Sequence, residues 1–167
     1  MKQSSSLWQW AGFGIVTLGG TILHFLYEWT GGSILTAPFS AINESTWEHM
    51  KLMYWPLLLF ALIQRPFFRY QPNYWCVKLA QILTALVLIP LLFYTYNGAF
   101  GESPDWVNIA VFYLSAGGAF WLERLLFRLN TRNCHSMLAI TAIALIGLMF
   151  VVFTFAPPQI PLFLSPG

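Results

Sequence analysis

The residues best suited to chemistry in this chain are two histidines and three glutamates near its amino terminus: His24, Glu28, Glu44, Glu48 and His49. Imidazole nitrogens and carboxylate oxygens together bind Zn²⁺, or Mn²⁺ and Fe²⁺ where oxygens are more numerous. A metal held in this way activates a bound water molecule, and a neighbouring carboxylate can take the proton. The residue types therefore predict a metal site that could support hydrolysis.

These residues lie near the end of the first predicted helix and the start of the second. His24 and Glu28 are four positions apart, which places them on one face of a helix. The spacing is not HExxH or another established zinc motif, so roles are assigned by residue type. The predicted cofactor is zinc or another divalent metal. The predicted metal ligands are His24, Glu28 and His49, the predicted catalytic residues are Glu44 and Glu48, and the predicted binding residues are Asn43 and Lys51.

The same residues also have a purely structural interpretation, which the sequence leaves open. Ser45 and Glu48 have the spacing of a capping box, and Glu44 suits the positive end of the helix dipole. Lys51 can pair with Glu48 three positions away and extend towards water. On this interpretation the polar network fixes helix packing and binds nothing.

The composition predicts that a lipid bilayer surrounds these residues. Of 167 residues, 57% are hydrophobic and only 8% are charged, whereas soluble domains carry about 25% charged residues. This excludes a soluble enzyme and a disordered tail. A net charge of +2 without a dense basic cluster excludes nucleic-acid binding.

Five stretches have about the 20 mostly apolar residues that a membrane-spanning helix needs. They run over residues 7–27, 46–63, 74–96, 106–127 and 136–155, separated by turn-forming residues such as Asn97-Gly98 and the segment 130–133. No cleavage site follows the first stretch, so it is predicted to be a retained span and not a signal peptide. The predicted fold is an all-α, polytopic bundle of five transmembrane helices in one domain over residues 1–167, ending in a Pro-rich tail at 156–167.

Two prolines are predicted to have structural roles within these spans. Pro56 lies in the second span and Pro90 in the third, and each is expected to kink its helix. Removal of the proline N–H would also free the carbonyls of Leu52 and Leu86.

The distribution of charge predicts the orientation in the membrane. With five spans, seven of the eight basic residues lie on the side of the amino terminus, and five of the six acidic residues lie on the opposite side. The positive-inside rule then places the amino terminus inside and the carboxyl terminus outside. The His/Glu group would therefore face outward.

A second polar group is predicted in the third and fourth spans. Its members are Lys78, Gln81, Asn108, Ser115 and Glu123. Lys78 and Glu123 both lie near the predicted inner face, where they can pair, and we assign them a structural role. By contrast, Cys76 and Cys134 are far apart without a CxxC spacing, so no disulfide is predicted.

Four segments resemble an uncharacterised family of small bacterial integral membrane proteins, known as a domain of unknown function. They are HFLYEW at 24–29, NESTWEHMKL at 43–52, NIAVF at 108–112 and the proline-containing tail at 157–163. The likeness covers most of the chain. It implies a bacterial envelope protein and points to the same His/Glu motif, but it supplies no reaction. The predicted location is the bacterial cytoplasmic membrane, as a multi-pass protein.

Three functional hypotheses follow. The leading one is an outward-facing His/Glu pocket that binds a metal or a small polar or lipid headgroup, with metal-dependent hydrolysis as its extension. The second is a non-enzymatic accessory or assembly subunit that binds another membrane protein. The third is a small-solute transporter, which would have to act as a homo-oligomer, because the apolar inner halves of spans two and five offer no polar path through one chain.

Overall fold

The computed structural model describes residues 2–129 and 134–164, and this part of the chain is helical without strands. It has five long helices. They are α1 (Lys2–Trp29), α2 (Thr46–Gln64), α3 (Tyr74–Phe100), α4 (Asp105–Leu129) and α5 (Ser136–Phe155). Short 3-10 helices follow α2 at Arg65–Phe68 and α5 at Pro161–Phe163. The predicted segment 130–133 and residues 165–167 of the tail lie outside the described residues.

Four helices are long and apolar enough to cross a membrane. They cover Ser6–Trp29, Tyr74–Phe100, Asp105–Leu129 and Ser136–Phe155. Helix α2 corresponds to the second predicted span but is not among these four. It is 19 residues long, or about 28 Å at 1.5 Å per residue, and it carries Glu48, His49 and Lys51. A fifth membrane span therefore remains a prediction.

Helix α2 is the central element of the bundle. It packs against α1 and α3, α4 packs against both of these, and α5 lies mainly on α3. Buried residues occur all around α2, from Thr46 at its start to Gln64 at its end. The other helices therefore enclose most of α2, including Glu48 and Lys51, while the apolar side chains of Leu59, Leu62 and Ile63 are exposed.

Two ends of the bundle can be distinguished. The histidine end holds the α1–α2 loop and the α3–α4 turn, and the arginine end holds the α2–α3 connection with Arg65 and Arg69. Helix α3 reaches the histidine end one turn later than Asn97-Gly98 predicts. It ends before Gly101, whose φ of +88° is a backbone conformation that glycine adopts without strain.

The two prolines lie inside helices that continue past them. Pro56 is within α2 and Pro90 is within α3. At Pro56, α1 approaches closely through two glycines. A β-carbon at Gly19 would lie 3.2 Å from the Pro56 ring, and one at Gly20 would lie 3.1 Å from the Leu52 carbonyl oxygen. Small residues at this crossing allow close helix packing.

The cysteines correct one prediction. Cys76 in α3 and Cys134 just before α5 are joined by a disulfide at the arginine end. The sequence indicated no pairing, because spacing along the chain does not report the 6.0 Å between the two Cα atoms. The disulfide fastens the start of α5 to α3.

The Pro-rich tail folds back onto the histidine end. Phe163 is buried and stacks on Trp47 at the start of α2, with 4.6 Å between the ring centroids. It also meets Phe153 of α5 edge to face. These contacts attach the described part of the tail to α2 and α5.

Candidate functional site

His24, Glu44 and His49 converge at the histidine end. Their potential ligand atoms all lie within 4.8 Å of one another. The Glu44 carboxylate lies between the two rings, with one oxygen 3.7 Å from His24 Nε2 and the other 3.6 Å from His49 Nε2. The imidazole centroids are 5.8 Å apart. Three of the five predicted chemistry-bearing residues are therefore brought together, and we call them the His₂Glu cluster.

The α1–α2 hairpin positions this cluster. His24 is on the last part of α1, Glu44 immediately precedes the N-cap residue Ser45, and His49 is in the first turns of α2. The connecting loop is attached to α1 by Ser40, whose hydroxyl donates to the Leu23 carbonyl and accepts a 2.8 Å hydrogen bond from the Tyr27 N–H. The loop thus holds Glu44 opposite the end of α1.

The His49 ring is oriented by the backbone. Its Nδ1 lies 3.0 Å from the Ser45 carbonyl oxygen. A carbonyl only accepts hydrogen bonds, so Nδ1 carries the proton when the ring is neutral, and the lone pair is on Nε2. That nitrogen faces Glu44. A hydrogen bond from the non-ligating nitrogen to a carbonyl is typical of histidines that bind metals.

The separations within the cluster are close to those of a tetrahedral metal site. Bonds of 2.0–2.1 Å in a tetrahedron place neighbouring ligand atoms about 3.4 Å apart. The nitrogen–oxygen distances of 3.7 and 3.6 Å, one to each Glu44 oxygen, exceed this by a few tenths of an ångström, and all the potential ligand atoms lie within 4.8 Å of one another. Side-chain rotations would have to bring the two rings and one carboxylate oxygen closer together to bind a metal. The two nitrogen–oxygen distances are also too long for direct hydrogen bonds, so the carboxylate is not simply paired with either ring.

Two adjoining cavities open beside the cluster. One has a volume of about 340 Å³ and reaches towards α3 and α4, and the other has a volume of about 540 Å³ and lies between α1 and α4. Both are lined by Glu44, His49, Asp105, Asn108 and Phe112. The His₂Glu cluster is therefore accessible to a ligand from the α4 side.

The α3–α4 turn contributes polar residues that the sequence analysis did not assign to this site. Asn97 accepts from the Ser103 N–H at 2.9 Å, and the Ser103 hydroxyl donates to Asn108 at 2.8 Å. Glu102 and Asp105 add two carboxylates to the cavity lining. Asn108 was predicted to belong to the same polar group as Lys78. It lies instead at the histidine end of the bundle, whereas Lys78 lies near the arginine end. The order of the helices could have indicated this position, because in an up-and-down bundle the α3–α4 turn lies at the same end as the α1–α2 loop.

Glu48 and Lys51 lie outside the His₂Glu cluster and form a buried ion pair. Lys51 Nζ is 2.6 Å from Glu48 Oε2, and both side chains are almost completely buried. Glu48 also accepts from the Ile42 N–H at 2.9 Å, and its own N–H donates to the N-cap Ser45. The predicted helix cap and the predicted pair are thus both present, but Lys51 does not extend to water.

The remaining predicted residues at this end are placed on its surface. Glu28 is exposed and is not part of the His₂Glu cluster. Asn43 accepts a 2.9 Å hydrogen bond from the Ser45 N–H, which forms a local turn before α2. The carboxylate near the two rings is therefore Glu44, which was predicted as catalytic, instead of Glu28, which was predicted as a ligand.

The second polar group is buried near the arginine end. Lys78 donates to Glu123 and, at 3.0 Å, to Gln81. All three side chains are at most 1% exposed. The apolar core includes Ile82 and Ala116, which lie one to two helical turns from Lys78 and Glu123 along α3 and α4, towards the histidine end. The described residues thus hold two separate polar regions.

The helices and the site define a class: an all-helical protein whose long apolar helices are compatible with a membrane, with a His/Glu cluster at one end. The chain belongs to the family of unknown function DUF6512, whose family model matches residues 1–166. No curated protein matches the chain, and no solved structure matches it.

Proposed function

We propose that this protein binds a divalent transition metal, with zinc as the best fit, through His24, Glu44 and His49. The proposal rests on the position of the Glu44 carboxylate, which lies between the Nε2 atoms of the two imidazole rings. Two histidines and one glutamate are also the protein ligands of several catalytic zinc enzymes, in which the fourth position is left to water or substrate. Here that position would face the cavities beside Asp105 and Asn108.

The exposure of Glu44 supports binding over a purely structural network. Its side chain is 64% exposed, whereas the two histidine side chains are 29% and 24% exposed. No hydrogen bond to the described residues involves its carboxylate. A group that only fixes helix packing is better exemplified by Glu48, which is buried and whose Oε2 contacts both Lys51 Nζ and the Ile42 N–H.

Metal content after purification tests the proposal. The protein is purified in detergent without chelator, loaded with zinc, exchanged into metal-free buffer and analysed by elemental mass spectrometry. We expect about one zinc ion per chain, as for a single three-ligand site. Because loss of a residue that merely supports a ligand costs 10–100-fold in affinity, His49→Ala and Glu44→Gln should each lower affinity by more than about 100-fold.

Two variants serve as controls. Glu28→Gln removes an exposed carboxylate from the same end, and His135→Ala removes a histidine at the arginine end. Both should keep the zinc stoichiometry of the parent protein. Equal zinc content in the cluster variants and in the controls would overturn the proposal and leave the structural interpretation.

Metal-dependent hydrolysis of a membrane-embedded ester is a second candidate, favoured by the open fourth position beside the cavities. In this reaction water adds to the ester carbonyl carbon, the carbon–oxygen bond to the alcohol breaks, and the alcohol takes a proton. Release of fatty acid from phospholipid vesicles should require zinc and should disappear in His49→Ala. Release at the rate of protein-free vesicles would exclude this activity without affecting metal binding.

A further inference from the structure

The larger cavity combines a polar end with an apolar end. It starts at the His₂Glu cluster and continues between α1 and α4. Its polar lining comes from His24, Glu44, His49, Asp105 and Asn108, and its apolar lining includes Phe25, Leu52, Ile109, Phe112 and Tyr113. A volume of about 540 Å³ is within the range of small-molecule sites. The lining therefore suits an amphiphile better than a fully hydrated ion.

The cavity opens sideways between α1 and α4. Phe25, Ile109 and Tyr113 line it and are 42%, 59% and 40% exposed on the surfaces of two helices that are apolar enough to span a membrane. Exposed apolar side chains on such helices face lipid. A ligand could therefore enter from the bilayer.

The same gap is closed towards the arginine end. At Gly20 the Phe112 ring of α4 is packed against α1. About two turns further along α1, Phe13 meets Tyr113 and Phe120 of α4, each with a centroid distance of 6.3 Å. The cavity is therefore a side pocket with a floor, which agrees with a binding site better than with a transport path.

We propose that this pocket binds one zwitterionic phospholipid, with its phosphate at the open metal position and its chains leaving between α1 and α4. This inference rests on the proposed function, because the metal supplies the partner for the phosphate. Phosphate oxygens are suitable ligands for a divalent metal ion. The apolar walls at Ile109 and Tyr113 then contact the first part of the acyl chains.

The charge of the site selects the headgroup. Glu44, Glu102 and Asp105 contribute three carboxylates to the two adjoining cavities, so one divalent cation leaves a net negative charge. A net anionic headgroup is repelled by this surplus, whereas the ammonium group of phosphatidylcholine or phosphatidylethanolamine is attracted to it. Asp105 lines both cavities and is the carboxylate best placed for the ammonium group.

Lipid binding by the zinc-loaded protein tests this inference. Dihexanoyl phosphatidylcholine and dihexanoyl phosphatidylglycerol are titrated below their micellar concentrations, and bound lipid is counted by native mass spectrometry. We expect one phosphatidylcholine per chain with at least about tenfold preference over phosphatidylglycerol, which corresponds to about 1.4 kcal/mol. Asp105→Asn should reduce that preference while zinc content stays unchanged.

A pair of bulky substitutions on α4 provides the steric test. Ile109→Trp places an indole at the mouth of the pocket and should weaken phosphatidylcholine binding by at least about tenfold. Leu114→Trp is the matched control, because Leu114 is equally lipid-facing, 64% exposed, and does not line the pocket. Both variants should retain zinc.

The possible outcomes separate the two proposals. Equal lipid binding by Ile109→Trp and Leu114→Trp, or no headgroup preference in a zinc-loaded protein, overturns the phospholipid site and leaves metal binding intact. Selective phosphatidylcholine binding by zinc-free protein overturns the assigned contact between phosphate and metal, whereas the metal proposal is decided by zinc content alone.

Discussion

A lysine ammonium group has three N–H donors, and Lys51 uses all of them inside the protein. It contacts Glu48 at 2.6 Å, the Ala37 carbonyl at 2.8 Å and the Thr154 hydroxyl at 3.1 Å. These partners belong to α2, the α1–α2 loop and α5. One buried side chain thus connects three segments of the histidine end, and the loop that carries Glu44 depends on it.

In the Lys51–Glu48 ion pair, replacing Lys51 alone should destabilise the protein more than replacing both residues. Lys51→Met leaves the Glu48 carboxylate buried without its counter-charge, which typically costs 3–5 kcal/mol. We expect a decrease of about this size in the free energy of unfolding, measured by denaturant titration in detergent. The double variant Glu48→Gln/Lys51→Met should recover part of the loss, since no buried charge remains.

An exposed cation provides the comparison for this prediction. Arg69 is on the surface at the arginine end, so Arg69→Met should change the free energy of unfolding by no more than about 0.5 kcal/mol. A similar small effect for Lys51→Met would mean that the pair is accessible to water and does not anchor the loop.

At the scale of elements, α2 keeps its polar residues inside the bundle, whereas its exposed large side chains, Leu59, Leu62 and Ile63, are apolar. Its polar residues Glu48, Lys51, Tyr54 and Gln64 are all buried in the bundle. Tyr54, for example, donates a 2.7 Å hydrogen bond to the Ile143 carbonyl of α5. Neighbouring helices therefore satisfy the polar groups of α2, and close helix contacts are required for this.

Two glycines of α1 test the importance of these contacts. A β-carbon at Gly20 would lie 2.5 Å from the Phe112 ring and 3.1 Å from the Leu52 carbonyl oxygen, whereas one at Gly14 meets nothing within 4 Å. Gly20→Ala should therefore destabilise by about 1–3 kcal/mol through overpacking. Gly14→Ala should be neutral or stabilising by up to about 1 kcal/mol. Thermal unfolding in detergent measures both, and equal melting temperatures would contradict the close approach of α1.

At the scale of the whole molecule, two features of the arginine end indicate different compartments. Seven of the eight basic residues lie on this side in the predicted five-span topology, which favours the cytosol. The Cys76–Cys134 disulfide is also here, and disulfides are rare in the cytosol because its thiol systems reduce them. We expect a reversible pair that is reduced inside the cell and forms the disulfide on oxidation.

Thiol labelling decides between these compartments. A membrane-impermeant maleimide should leave Cys76 and Cys134 unlabelled in intact cells and should label both after permeabilisation without reductant. Replacing both cysteines with serine provides the unlabelled control. A disulfide that persists in freshly alkylated cells, or labelling from outside, would reverse the predicted orientation of the whole bundle.

Much of the architecture follows from sequence patterns, because length and apolar composition are local properties. The predicted spans correspond to five helices, and the structure confirms that four of them are long and apolar enough to cross a membrane. The capping residue Ser45 and the pairing of Lys78 with Glu123 were also predicted correctly. Their positions required only helical periodicity and the depth of each residue within its span.

The composition of the site could not be predicted in this way, because it depends on how the helices turn towards one another. Glu44 and Glu48 are one helical turn apart in sequence, yet Glu44 lies between two histidines and Glu48 is buried against Lys51. Asp105 reaches the same cavities only because α4 packs beside α1. Periodicity gives each residue a face and a depth, whereas long-range packing selects the partner that this face meets.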